Sequence, residues 1–226
     1  MEYLLDTADP QEVSSLLVCY PIAGVTTNPS IIKQCGRVDL FPRFSELRRV
    51  LGGSRSLHIQ VTAPDAEGML REALAVRSRI DSKVYIKVPV NEEGLRAIRL
   101  MKDQSFPVTA TGIVSKAQAL LALECGADYL ALYYNRMENS DISPDQSIEM
   151  IASVISRFGY ASKILGASFR NMAQVDRAIA SGAHAVTLSP SILRDALRLP
   201  AISSAVEAFA ADWRSLYGDR SIDRLD

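Results

Sequence analysis

The stretch SKVYIKVPV (82–90) decides the reading of the fold. Val84, Tyr85, Ile86, Val88 and Val90 are β-branched or aromatic. They lack the strict apolar–polar alternation of a strand with one wet face, so the run reads as a strand buried on both faces, as in a parallel sheet. Lys87 sits in the middle of it. A buried ammonium group is costly unless it is paired or loses its proton. The run is therefore either a strand with one solvated residue or a strand that holds a lysine for chemistry.

Seven more runs share this character: YLLD (3–6), IAGVT (22–26), LHIQV (57–61), PVTAT (107–111), DYLALY (128–133), KILGAS (163–168) and HAVTL (184–188). Segments of helical period lie between them. Met69, Leu70, Ala73, Leu74 and Ile80 fit one helix face, and Ile148, Ile151, Ile155 and Phe158 fit another. Gly126 and Gly182 stand where a helix must stop before the next strand, a position that calls for positive φ.

Eight strands, each followed by a helical segment, within about 200 residues match an α/β chain folded as a (β/α)8 TIM barrel. An open doubly wound sheet is the competitor, because periodicity alone does not show closure. The absence of a Gly-rich fingerprint after the first strand counts against its dinucleotide-binding form. Val206, Phe209, Ala210, Trp213, Leu216 and Tyr217 then recur at helical spacing and predict a further helix over 201–217. That helix either covers the barrel's base or reaches a neighbouring subunit. The chain thus reads as a single barrel domain over 1–226 with one helix added at its end.

Composition narrows the function. The 226 residues are 48% hydrophobic and 23% charged, with a formal net charge of −1. A pI near 6.2 argues against a nucleic-acid or membrane-surface partner, which calls for a basic patch. No apolar run reaches the ~18 residues that span a bilayer, and MEYLLDTADP (1–10) is too short and acidic for a signal peptide. Cys19, Cys35 and Cys125 are odd in number and widely spaced, which suits free thiols in the cytoplasm better than disulfides or zinc. With only His58 and His184 in the chain, chemistry without a metal or other cofactor is expected. Both histidines read as satisfied barrel residues. Arg43, Arg48 and Arg49 read as a solvated helix face, and the tail SIDRLD (221–226) carries no readable signal.

In a barrel of this kind the working residues sit where strands end and loops begin. Asp6, Asn28, Gln60, Lys87, Thr111 and Tyr133 fall at or just past the ends of strands one to six, with Arg136 just beyond. Ser168 and Arg170 follow strand seven. Singly, each has an ordinary explanation as a helix cap, turn former or solvated loop residue. Their convergence on one barrel mouth is harder to explain that way. A lysine in a water-poor barrel keeps part of its amine neutral, able to attack a ketone and form a Schiff base. Its plain alternative is a structural ion pair with Asp6. Two guanidiniums and a hydroxyl, from Arg136, Arg170 and Ser168, are the equipment for a phosphomonoester.

LDTAD (5–9), GVTTNPSII (24–32), IKVPV (86–90), YYNRM (133–137) and ILGASFR (164–170) resemble the small-subunit transaldolase family, most of all its fructose-6-phosphate aldolase branch. The likeness covers nearly the whole chain. It implies a barrel, Schiff-base chemistry without a metal, and a ring-shaped homo-oligomer, a pentamer or a decamer of two pentamers, whose last helix packs on a neighbour. By the same resemblance Lys87 is the Schiff-base lysine and Asp6 the acid that moves protons around the carbinolamine. Asn28 bonds the C1 end of the substrate. Gln60, Thr111 and Tyr133 surround the catalytic water and the departing proton, and Arg136, Ser168 and Arg170 form the phosphate site. Gln60 and Tyr133 stand where transaldolases resemble one another in having Glu and Phe, and so favour the aldolase branch. Gly112, Val114, Leu132 and Gly166 depart from the family's usual residues and bear on substrate preference.

The expected activity is reversible cleavage of fructose 6-phosphate to dihydroxyacetone and glyceraldehyde 3-phosphate. Two alternatives remain at this point. One is a transaldolase that passes the dihydroxyacetone unit between sedoheptulose 7-phosphate and erythrose 4-phosphate in the pentose phosphate pathway. The other is a barrel that binds a sugar phosphate without turnover.

Overall fold

The computed structural model describes residues 1–225; Asp226, the last residue of the tail and of the expected 1–226 domain, lies outside them. Eight strands run β1 (Glu2–Asp6), β2 (Ile22–Thr26), β3 (Ser56–Gln60), β4 (Tyr85–Pro89), β5 (Val108–Ile113), β6 (Tyr129–Tyr133), β7 (Lys163–Ala167) and β8 (Ala185–Leu188). Each pairs in parallel with the next, and β8 returns to β1, so the sheet closes into a barrel. That closure settles the choice left open by periodicity.

The helices are α1 (Pro10–Leu17), α2 (Pro29–Gln34), α3 (Leu40–Leu51), α4 (Ala66–Arg79), α5 (Glu92–Asp103), α6 (Lys116–Glu124), α7 (Tyr134–Glu138), α8 (Pro144–Phe158), α9 (Met172–Ala180), α10 (Pro190–Asp195) and α11 (Pro200–Tyr217). Side-chain caps fix where many of them begin. Asp9, Asn28, Asp65, Asn91, Ser115, Ser143 and Asn171 each accept a backbone N–H from the first turn that follows. Gly126 and Gly182 have φ of 86° and 106°, as the turn between helix and strand requires.

The expected helix faces need adjustment. Met69 and Ala73 are buried with Ala66 and Val76, but Leu74 is exposed. Ile148, Ile151 and Ile155 are buried, whereas Phe158 ends α8 in solvent. Arg48 does not belong to a solvated face. Its guanidinium donates to the carbonyls of Gly52 and Arg55 and pairs with Asp81 at 2.7 Å.

The barrel interior is layered. Leu4, Tyr129, Ala131, Leu165 and Ala185 cluster in its lower half with Tyr85 packed against them. His58 lies fully buried in the same region, stacked on Tyr85 at 4.6 Å and bonded to Thr109 at 2.8 Å and Ser56 at 3.0 Å. Burial, with Lys87 and then Arg48 nearby, holds its pKa well below the usual histidine value, so the ring is a neutral part of the core. His184 precedes β8 and accepts the Ile164 N–H at 3.1 Å. Both histidines are satisfied barrel residues.

Met1–Pro190 forms one compact unit and the residues from Ser191 onward a second. In the second, α11 buries none of its residues; Phe209 is 71% exposed and Leu216 74%. No helix among the described residues is long and apolar enough to cross a membrane.

Candidate active site

Parallel pairing places the end of every strand on one rim. Across the β3–β4 pair Gln60 is in register with Lys87, and across β1–β2 Asp6 is in register with Thr26. The side chains at these ends enclose a cavity of about 380 Å³. Asp6, Asn28, Gln60, Lys87, Thr111, Tyr133, Arg136 and Ser168 all line it. Arg170 does not. It is exposed in the segment after β7, and its backbone N–H is held by Gln174 at 2.7 Å.

Lys87 is 2% exposed and borders this cavity. Among the described residues it forms no ion pair, with Asp6 or any other carboxylate. Asp6 spends its carboxylate elsewhere. Its Oδ1 accepts from the Thr26 hydroxyl at 2.6 Å, and Thr26 in turn meets Thr187 at 2.7 Å. Burial pushes the Asp6 carboxyl up, while Lys87 and the Thr26 bond hold part of that shift back. An acid in this state can both give and take a proton beside the amine. Lys83, by contrast, is exposed and lines a separate cavity with Glu2, Tyr85, Tyr129 and Lys163, away from Lys87.

On the other wall the Thr111 hydroxyl donates to the Tyr133 phenol oxygen at 3.2 Å, and the Arg136 guanidinium lies 4.6 Å above the Tyr133 ring. Gln60 Oε1 is buried with no hydrogen-bond partner. An amide oxygen carries two lone pairs, so Gln60 Oε1 has acceptor capacity left for water or substrate. Asn28 serves two ends. Its Oδ1 caps α2 through the Ile31 N–H at 3.0 Å, which leaves its amide protons for the cavity it lines. Ser168 has a φ of 63°, a left-handed conformation that costs a non-glycine residue about 1–2 kcal/mol.

Thr187 lines the cavity and was not among the expected residues, although a hydroxyl inside the apolar run HAVTL was its visible signal. Ser30 and Gly112 also line it. Gly112 has a φ of 74°, and a Cβ there would meet nothing within 4 Å, so β5 leaves open space at the mouth. Of the four departures from the family pattern, only Gly112 reaches the cavity. Leu132 is buried in the core, Val114 bonds Gln118, and Gly166 makes room for the Phe169 ring. Among the described residues no group of three or more His, Cys, Asp or Glu side chains is placed to hold a metal ion.

A closed parallel barrel around a buried, unpaired lysine, with a carboxyl and a phenol in the same cavity, belongs to an enzyme of the Schiff-base aldolase and transaldolase type. The family model for transaldolase/fructose-6-phosphate aldolase matches residues 3–220, and the chain belongs to that family. It is 44% identical over 222 residues to a Streptococcus pneumoniae protein named "Probable fructose-6-phosphate aldolase", a match covering 98% of this chain and 100% of that protein.

Proposed function

We propose that this enzyme reversibly cleaves fructose 6-phosphate into dihydroxyacetone and glyceraldehyde 3-phosphate. The observation that carries the reading is the Tyr133 phenol, hydrogen-bonded by Thr111 at 3.2 Å in one cavity with Lys87 and Gln60.

The Lys87 Nζ attacks the C2 carbonyl, and the carbinolamine loses water to give an iminium ion. Asp6, with its raised pKa, moves the protons of this step. Tyr133 takes the C4 hydroxyl proton, directly or through a water held by Gln60 and Thr111. The C3–C4 bond breaks, its electron pair enters the iminium, and glyceraldehyde 3-phosphate leaves as the aldehyde. The enamine on Lys87 is protonated at C3. Water then restores the amine and releases dihydroxyacetone, replacing the water lost earlier. Asn28 bonds the C1 end, and Arg136, Ser168 and Arg170 take the phosphate, Arg170 by a side-chain movement toward the cavity.

The transaldolase reaction shares every step up to the enamine, and the matched family carries both activities in its description. Gln60 with Tyr133 favours release over transfer. A product-resolved assay tests this choice. Free dihydroxyacetone should form without an acceptor, and little sedoheptulose 7-phosphate should form when erythrose 4-phosphate is added. Dominant transfer would overturn the aldolase reading. Tyr133→Phe should shift the partition toward transfer, because it removes the phenol that competes with a water-mediated route; unchanged partitioning would remove the role given to that residue.

We further propose a homo-oligomer, a pentamer or decamer, in which a neighbouring copy covers the exposed apolar residues of α11. Three free cysteines, two of them exposed, suit a cytoplasmic setting.

A further inference from the structure

Gln174 is the third residue of α9, and it is 6% exposed. Every hydrogen-bonding group of its carboxamide has a partner in one of two loops. Oε1 accepts the Arg170 N–H at 2.7 Å, in the segment that follows β7. Nε2 donates to Asn135 Oδ1 at 3.2 Å and to the Glu138 carboxylate, both in α7 after β6. One buried side chain therefore joins the piece that carries Arg136 to the piece that carries Ser168 and Arg170. Among the described residues, a second polar tie between the two pieces is the Asn135 N–H to the Ser168 carbonyl, at 3.3 Å.

The surroundings hold this brace in place. Glu138 also pairs with Arg177 at 2.7 Å, and Arg177 donates to the Tyr134 phenol at 3.0 Å. The Tyr134 ring packs 5.5 Å from that of Phe169, the residue between Ser168 and Arg170. Ser168 is held at positive φ within this frame, a conformation that persists only when neighbours fix it.

We infer that Gln174 is a positioning residue for the phosphate end of the substrate: it sets the separation of Arg136 from Ser168 and Arg170. No close relative of its side chain does the same. Glu keeps an acceptor for Arg170 but loses both donors and faces Glu138. Asn is one methylene short, and Met has neither group. A brace of this kind acts on binding of the phosphate, and Gln174 itself bonds Arg170, Asn135 and Glu138 rather than the bond-breaking groups Lys87, Asp6 and Tyr133. The inference rests on the reading that Arg136, Ser168 and Arg170 bind phosphate, so the test carries an arm for each.

Steady-state rates are measured in the synthetic direction, with dihydroxyacetone and either glyceraldehyde 3-phosphate or unphosphorylated glyceraldehyde. The proteins are wild type, Arg136→Ala, Gln174→Met, Gln174→Glu and the double variant Glu138→Gln with Gln174→Glu. Gln174→Met and Gln174→Glu should each raise KM for glyceraldehyde 3-phosphate by about tenfold with kcat within about twofold, the pattern of lost uniform binding. Their kcat/KM for glyceraldehyde should equal that of wild type. The double variant, with donor and acceptor exchanged between positions 138 and 174, should recover most of the loss in Gln174→Glu, and this arm keeps the test intact if Gln174→Met does not fold. Equal losses on both acceptors, or no loss on either, would overturn the inference. If Arg136→Ala raises KM for the phosphorylated acceptor and the Gln174 variants do not, the brace alone is wrong. If Arg136→Ala also leaves that KM unchanged, the phosphate-site reading is wrong and the inference falls with it.

Discussion

At the scale of single residues the proposed chemistry turns on how Asp6 and Lys87 share the cavity at the strand ends without pairing. Instead the carboxylate is bonded to Thr26, and burial raises its pKa from the ordinary value of 3.8. Asp6→Asn should lower kcat by about 10²–10⁴-fold, the usual contribution of a positioned acid–base group, as read by single-turnover kinetics. It should also change stability with a definite sign. A carboxyl whose pKa is higher in the folded state binds more protons there than when unfolded, so wild type loses stability as pH rises through that window. Asp6→Asn lacks this loss, and its stability relative to wild type should climb from about pH 4 upward in urea titrations. A constant difference across pH would contradict the raised pKa. Lys87, Asp6 and the other polar strand ends were legible because a charged or polar group in an apolar run stands out. Thr187 was hidden by its chemistry, since threonine is common in strands and only the third dimension aims it at Asp6 through Thr26. Arg170 is the converse: its position after β7 suggested the cavity, while the chain turns its side chain outward.

At the scale of elements, β4 and the helix after it show how closely backbone must pack to place the lysine. A Cβ added to Gly94 in α5 would lie 1.8 Å from the carbonyl oxygen of Pro89, two residues beyond Lys87. Backbone at that distance cannot yield without moving the end of β4. Gly94→Ala should destabilise the fold by about 3 kcal/mol or more, above the ordinary range for overpacking, measured by chemical denaturation. Any folded fraction should show a lowered rate of Schiff-base formation. All eight strands were legible from their short apolar runs without strict alternation, as a parallel sheet buried on both faces requires. Helix faces were less so. Leu74 and Phe158 keep apolar spacing yet face solvent, because period alone does not say where a neighbour stops covering the face. The short helices α2 and α7, of six and five residues, lie ahead of α3 and α8, and Asn28, the cap of α2, reads equally well as a loop residue.

At the scale of the whole molecule, α11 is a long helix that buries none of its own residues. Ile202, Val206, Phe209 and Leu216 are all exposed on an 18-residue helix, more apolar surface than scattered single residues account for. In the proposed oligomer, Phe209→Glu should therefore lower the mass seen by sedimentation velocity to that of smaller species, with the barrel's thermal signature retained; an unchanged mass would count against the interface proposed for α11. The helical period of this segment was plain in the sequence, while its exposure was not, since amphipathic spacing is the same whether a covering surface comes from the same chain, from another or from neither. One covalent bond, between Lys87 and the substrate, carries the proposed reaction. Borohydride reduction in the presence of fructose 6-phosphate, followed by peptide mass analysis, should leave a reduced three-carbon unit on Lys87 and on no other lysine, with loss of activity in proportion. An unmodified Lys87, or an adduct on Lys83 instead, would contradict it.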